Sequence, residues 1–184
     1  MAVKTFTTGE VLTAADTNTY LNNGGLVFIK QQTVGTTVAS VTVSSAFSST
    51  YENYRIIYTG GIGVAAGDLA LSLGGITTGY YGGQFGATFA AGTFAGRGIN
   101  NGASWAYAGY INTALNLLCC DIFSPNAATR KFISCYGQYN NAGSAYSMFF
   151  GESTSTTQAT AFTLTPSTGT LTGGIIRVYG FRQE

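Results

Sequence analysis

The side chains that could do chemistry in this 184-residue chain are few and widely spaced. It contains no histidine, which removes the general base of Ser-His-Asp and Cys-His catalysis and a common zinc ligand. Only Asp68, Asp121 and Glu152 supply carboxylates between Glu52 and Glu184. Glycoside hydrolysis needs two carboxyl groups that face each other across the substrate. Asp121 and Glu152 are the pair to consider, and we expect them instead to be strand-edge or turn residues.

Three cysteines form a second candidate group. Cys119 and Cys120 are adjacent, and adjacent residues of a strand face opposite sides, so at most one of them can lie near Cys135. A zinc site takes about four ligands, and the sequence offers no further thiol and no imidazole. An odd, sparse set of cysteines is also typical of synthesis in a reducing compartment. We therefore predict buried, free thiols with a structural role, no bound metal and no cofactor.

Gly61, Gly63 and Ala66 have the spacing of a dinucleotide-binding GxGxxA turn. That motif requires a helix after the glycines and an acidic residue about 20 positions further on. The segment that follows here, Asp68–Leu73 (DLALSL), alternates with the period of a strand. We interpret the motif as a glycine-rich turn. The sequence thus predicts no catalytic residues and no enzymatic activity.

The composition restricts the partners that the chain can have. Asp, Glu, Lys and Arg make up 8% of the residues, where about 25% is usual, and the formal net charge is +1. The basic residues are scattered, so we expect no nucleic acid as a partner. No apolar run has the length of a membrane-spanning helix, so we expect no membrane insertion. Because repulsion does little to keep copies apart, the composition favours an assembly subunit over a monomer coated with hydroxyl groups.

Short strands separated by turn residues dominate the pattern. The clearest is Tyr51–Thr59, rich in bulky and β-branched side chains, and we predict that it pairs with the C-terminal run Gly174–Arg182. The nearly continuous apolar run Ala114–Phe123 predicts a strand buried on both faces. The pattern as a whole predicts an all-β fold, a single antiparallel β-sandwich of jelly-roll type over residues 25–184. Further strands are predicted at Leu26–Gln32, Thr37–Val43, Asp68–Leu73, Arg130–Tyr139, Ala145–Gly151 and Ala161–Thr165.

The segment Gly60–Gly109 carries 15 of the 26 glycines, with aromatic residues between them. Glycine favours turns and bulges, so we predict that this segment holds the most exposed loops. Its aromatic side chains have two interpretations: anchors that pin long loops onto the sandwich, or a surface that contacts a partner. If the partner is a glycan, the candidate contacts are Tyr80, Tyr81 and Trp105, because ring faces stack on sugars.

Residues 1–24 are predicted to form a separate N-terminal arm. Thr13 and Asp16 have the spacing of a capping box and predict a helix over Ala14–Leu21, which the glycines that follow would end. So short a helix is marginal in water, so it must dock either on the β-domain or on a partner. The apolar side chains available for docking are Phe6, Val11, Leu12, Tyr20 and Leu21.

The opening TFTTGEVLTAADTNTYL resembles the N-terminal segments of many tailed-bacteriophage virion proteins of the tail, fibre and minor structural classes. The likeness continues through GGLVFIKQQTVG, VTVSSAF, YENYRIIYTGG, TGYYG and the closing GGIIRVYGFR, whereas most of residues 82–112 match nothing comparable. The resemblance implies a homotrimer that its N-terminal arm holds on the particle, with other virion proteins of the tail, collar or capsid as partners.

Two functions are compatible with this resemblance. In the first, the chain is a short tail fibre or tail-associated protein, anchored by its arm, with a distal β-domain that contacts the host surface. In the second, it is a capsid or collar decoration protein, such as a head fibre or cement protein, with a purely structural role. Both imply a virion location after assembly in the bacterial cytoplasm. The sequence has neither repeats nor a coiled-coil shaft, which favours a short appendage.

Overall fold

The structure is a computed structural model, and it describes residues 7–16, 25–88, 92, 94–138 and 145–182. In this part of the chain there are one short helix, α1 (Ala14–Asp16), and fourteen strands. The predicted all-β class is confirmed. The strands are β1 (Leu26–Thr33), β2 (Val41–Val43), β3 (Asn53–Thr59), β4 (Ile62–Gly63), β5 (Gly67–Leu73), β6 (Tyr80–Thr88), β7 (Phe94–Gly102), β8 (Trp105–Ile111), β9 (Leu117–Phe123), β10 (Lys131–Gln138), β11 (Ala145–Ser153), β12 (Phe162–Pro166), β13 (Leu171–Thr172) and β14 (Ile175–Phe181).

Two antiparallel sheets pack face to face. The larger sheet has the strand order β1-β14-β3-β9-β10-β11-β6-β7, and the smaller has the order β2-β12-β5-β8. β13 and β4 form a two-stranded ribbon. The inner faces of the two sheets share one core, to which the larger sheet contributes Tyr54 and Ile56 and the smaller contributes Leu71 and Phe162. This is the sandwich-like arrangement that the strand pattern predicts.

The central strand β3 pairs with β14 over six residue pairs, from Thr59 opposite Ile175 to Tyr54 opposite Gly180. On β14, the inward-facing residues are fully buried, whereas the outward-facing ones are half-buried. The prediction that this early strand pairs with the last strand is therefore confirmed. The pairing joins two segments more than a hundred residues apart and closes the chain into one unit.

The glycine-rich segment Gly60–Gly109 is mostly strand, so its prediction as a set of exposed loops is wrong. It contains β4, β5, β6 and β7 and most of β8. β6 pairs with β11 on one side and with β7 on the other. Glycine in β6 makes room for a core ring: a Cβ placed on Gly82 would lie 2.5 Å from the ring of Phe149. Here glycine does not mark a turn but leaves space for a ring of the neighbouring strand β11.

Two other sequence predictions need correction at their ends. The strand predicted at Thr37–Val43 is only Val41–Val43, with an isolated bridge from Val38. The strand predicted at Ala114–Phe123 begins at Leu117, and it is not buried on both faces along its length. Leu117 is 44% exposed and Phe123 is 39% exposed. Both lie on the outer face of the larger sheet, which the described residues do not cover.

The GxGxxA motif is a turn, as predicted. Gly61 has a φ of +70°, in the left-handed region that favours glycine. The chain then enters β4 and β5, and no helix follows.

The arm contains the predicted capping box. The Thr13 hydroxyl accepts a hydrogen bond from the Asp16 backbone N–H, and the Asp16 carboxylate accepts one from the Thr13 backbone N–H, both at 3.1 Å. The helix is described over Ala14–Asp16. The rest of the predicted helix, with Tyr20 and Leu21, lies outside the described residues.

A buried lysine fixes the turn that joins β9 to β10. Lys131 is fully buried on the inner side of β10, and its ammonium group donates hydrogen bonds to three backbone carbonyls, those of Ala127, Thr129 and Ser155. Loss of hydration lowers the pKa of Lys131. The side chain therefore connects the β9–β10 turn to the segment that follows β11.

We predict that Lys131→Met lowers the free energy of unfolding by about 2–4 kcal/mol, because three carbonyl groups lose a charged donor. Lys30→Met is the matched control, since the Lys30 ammonium group donates to the carbonyl of Ser44 at an exposed site. Urea denaturation of both variants measures the difference. Equal, small losses would show that the three hydrogen bonds contribute little.

Candidate functional site

The strongest candidate for a functional surface is the outer face of the larger sheet over the adjacent strands β9, β10, β11, β6 and β7. Alternate residues of a strand point away from the core. On these five strands, eight outward-facing side chains are large, apolar and between 36% and 64% exposed. We call them the apolar outer face: Leu117, Phe123, Phe132, Tyr136, Met148, Phe150, Phe85 and Phe94.

Some of these side chains lie beside an aromatic or apolar neighbour on the next strand. The rings of Phe85 and Phe150 stack with their centroids 6.3 Å apart. Phe94 meets Tyr146 edge to face at 6.5 Å. Met148 is the cross-strand partner of Phe85. The result is a broad apolar surface, and soluble monomers rarely expose contiguous apolar patches above a few hundred Å².

A shallow groove of about 340 Å³ lies within this surface. Phe132, Phe150 and Tyr81 line it, and Glu152 lies at its rim. Gly82 and Gly151 line it with backbone only. Such rings can hold the apolar face of a sugar or an apolar side chain of another protein. Of the three predicted glycan contacts, only the half-buried Tyr81 lies here.

Tyr80 and Trp105 are fully buried, so their prediction as glycan contacts is wrong. Their rings meet edge to face at 4.9 Å between the two sheets. The Tyr80 hydroxyl accepts a hydrogen bond from the Leu73 backbone N–H, and burial raises the pKa of Tyr80 to about 12. The Trp105 ring N–H donates to the Glu152 carbonyl at 3.1 Å. Both rings anchor the glycine-rich segment to the core, which is the other interpretation of these aromatic residues.

The two carboxylates considered for catalysis are each held by an arginine. Asp121 forms a two-point ion pair with Arg55, with distances of 2.7 and 2.6 Å, and this hydrogen bonding raises the pKa of Arg55. Glu152 pairs with Arg130 at 3.2 Å. The two acids lie on β9 and β11, with β10 between them. Both acids are thus held in ion pairs on strands that are hydrogen-bonded on both sides, so the expectation that they are strand-edge or turn residues is wrong.

The cysteines divide between the faces of β9. Cys120 lies opposite Cys135 of β10, with 2.7 Å between the two sulfur atoms, and burial raises the pKa of the Cys120 thiol. Cys119 lies on the opposite side of β9, near the Tyr136 hydroxyl, and burial raises its pKa too. All three thiols are free and buried, as predicted. The described residues include no cluster of three or more His, Cys, Asp or Glu that could hold a metal ion.

One polar cluster was not predicted from the sequence. Arg97 of β7 reaches across to Asp68 of β5 at 2.8 Å, and its guanidinium lies 4.1 Å from the ring centroid of Tyr107. It also donates to the side-chain oxygen of Gln84 at 3.1 Å. These contacts tie one edge of the larger sheet to the smaller sheet. No local pattern signals the cluster, because its members come from four different strands.

The arm presents two of its five predicted docking residues within the described part of the chain. Val11 is 77% exposed and Leu12 is 49% exposed. Phe6, Tyr20 and Leu21 lie outside the described residues. The two visible side chains therefore have apolar surface to offer a partner.

Comparisons with protein-family models, with curated proteins and with solved structures found no match. In the part of the chain that the structure describes, no helix has the length and apolar character needed to cross a membrane.

We predict that Trp105→Ala lowers the free energy of unfolding by about 3–5 kcal/mol, since it leaves a cavity between the sheets. Tyr81→Ala, which removes a half-buried ring from the outer face of β6, is expected to cost less than about 1 kcal/mol. Thermal and urea unfolding of the two variants measures the contrast. A Trp105→Ala protein as stable as the parent would contradict the anchor role.

Proposed function

We propose that this chain is a non-enzymatic structural protein of a tailed-bacteriophage particle, a short tail fibre or tail-associated protein. Its N-terminal arm attaches it to the particle as part of a homo-oligomer, and its β-domain lies distally, toward the host surface. The observation that carries the proposal is the apolar outer face, because a solitary soluble protein rarely presents so large an apolar surface. The resemblance of the opening TFTTGEVLTAADTNTYL to virion proteins supplies the class of particle.

The arm supports this proposal through its exposed apolar side chains. Val11 and Leu12 are exposed beside a helix whose capping box already satisfies its first backbone groups. Burying one such side chain against a partner is worth roughly 1.5–3 kcal/mol. When the arms of several copies in one oligomer dock together, avidity raises the overall affinity above that of a single arm. A short arm can therefore hold a small appendage on a particle.

The attachment role predicts that Val11→Asp with Leu12→Asp, in the full chain, abolishes incorporation into particles while circular dichroism of the protein stays unchanged. The charged groups would have to be buried at the docking site without partners. Thr8→Asp is the matched control, because it adds a charge to the arm at an exposed position and removes no apolar group. Quantifying the chain in purified particles gives the answer. Incorporation of the double variant at the parental level would place the attachment surface elsewhere.

A decoration protein of the capsid or collar, with a purely structural role, is the second candidate. One observation favours it: with Tyr80 and Trp105 buried, Tyr81 is the one predicted glycan contact with exposed surface.

Adsorption to host cells distinguishes the two candidates. For the tail-fibre role, particles that carry Tyr81→Ala should adsorb at least about fivefold more slowly, since loss of a stacked ring costs about 1–3 kcal/mol on aromatic platforms that bind nucleic-acid bases. The amount of protein per particle, measured in parallel, is the control. Unchanged adsorption at unchanged occupancy would favour the decoration role.

A further inference from the structure

We propose that copies of this chain associate through the apolar outer face, and that its occupant is the same face of a second copy. The inference deepens the proposed function, on which it rests in one respect: it names the surface for the self-association that the proposal requires.

The exposed area matches what a stable protein–protein interface needs. A large side chain has roughly 150–250 Å² to bury, and the eight members of the apolar outer face are about half exposed, so together they offer on the order of 800 Å². A standard interface buries about 800 Å² on each partner. The face is thus large enough for a stable contact without any contribution from the arm.

The residue types are those that interfaces favour. Six of the eight side chains are aromatic and one is methionine, and aromatic residues and methionine are enriched at interface centres. The other large exposed apolar side chains among the described residues are dispersed: Val11, Leu12, Leu26, Phe28, Ile62, Val64 and Leu115 lie on the arm, on the edge strand β1, on β4 and in loops. Only the apolar outer face gathers such side chains on five adjacent strands.

The charges near the face permit two copies to approach. Asp121 is neutralised by Arg55 at 2.6 Å and Glu152 by Arg130 at 3.2 Å, and the whole chain carries a net charge of only +1. Two identical faces therefore meet without a cluster of like charge, which would cost several kcal/mol. A strongly acidic or basic partner would find no complementary field here.

A glycan is a poorer occupant for the whole face. The groove between Tyr81, Phe132 and Phe150 measures about 340 Å³ and involves only two members of the apolar outer face. A sugar in it would leave Phe94, Phe123 and Leu117 exposed to water. A broad sheet of the same composition, such as the face of a second copy, covers all of them.

The test uses the purified full chain, with no particle present. Its mass is measured by light scattering and sedimentation from about 1 to 100 µM, for the parent and for Phe132→Ser with Phe150→Ser. We expect the parent to form dimers, because two identical faces close on each other. The double variant should raise the dissociation constant by at least about a hundredfold, as for loss of two interface hot spots. Phe28→Ser, which removes an exposed ring at the far edge of the same sheet, should associate like the parent.

A parent chain that stays monomeric at about 100 µM would overturn the inference, and so would a double variant that associates as well as the parent. Circular dichroism establishes whether the double variant is folded. If it is not, Met148→Glu takes its place, because it puts a charge on the same face with a single change and the same outcomes apply. Failure here would leave the Val11 and Leu12 experiment untouched, since that experiment reads attachment to particles.

Discussion

The pairing of β3 with β14 is the contact on which the rest of the sandwich depends. β14 also pairs with β1, and β3 also pairs with β9. The remaining strands of the larger sheet follow β9 in order. Tyr54, Ile56 and Tyr58 of β3 are fully buried in the shared core. Both tyrosine hydroxyl groups donate hydrogen bonds to backbone carbonyls. Tyr54 donates to the carbonyl of Ser48 at 2.6 Å, and Tyr58 donates to that of Gly173 at 3.1 Å. Because the two strands are distant in sequence, the larger sheet cannot be completed before the chain returns.

Both faces of the larger sheet carry apolar side chains, but only those of the inner face belong to the core of the fold. Phe149 points inward and fills the core beside Gly82, so the fold itself requires it. Its neighbour Phe150 points outward and is 48% exposed, and no contact of the core depends on it. A polar residue would serve a solvated sheet face as well, as in antiparallel sheets with one wet side. The proposed assembly would explain why this outer face carries aromatic residues.

Secondary structure could be predicted from the sequence where the local residue pattern is unambiguous. The bulky run YENYRIIYT and the C-terminal run GIIRVYGFR predicted two strands that pair, and Thr13 and Asp16 predicted the capping box. The glycine-rich segment was misjudged because glycine signals a turn and close packing equally, and only the position of Phe149 decides between them. Tyr80 and Trp105 were misjudged for a related reason: the inward or outward orientation of a ring depends on strand register.

The candidate surface was the least predictable part. Phe132 and Tyr136 alternate with Ile133 and Cys135, so both faces of β10 are apolar, and this pattern suits a strand buried on both sides as well as one with an apolar face exposed. Which of these two structures forms depends on whether another layer covers the outer face of the sheet. The hydrogen bonds of Lys131 and the Arg97–Asp68 ion pair could not be predicted from the sequence either, since the partners come from distant segments.

Hydroxyl-radical footprinting of the full chain in its assembled form tests the central claim most directly. Mass spectrometry would measure oxidation of Met148, Phe132 and Tyr136 on the apolar outer face and of Phe28 at the opposite edge of the sheet, which is 55% exposed. The account predicts that the first three are protected at high protein concentration and become reactive on dilution, whereas Phe28 reacts equally at both. Oxidation of Met148, Phe132 and Tyr136 that stays the same at every concentration, like that of Phe28, would contradict it.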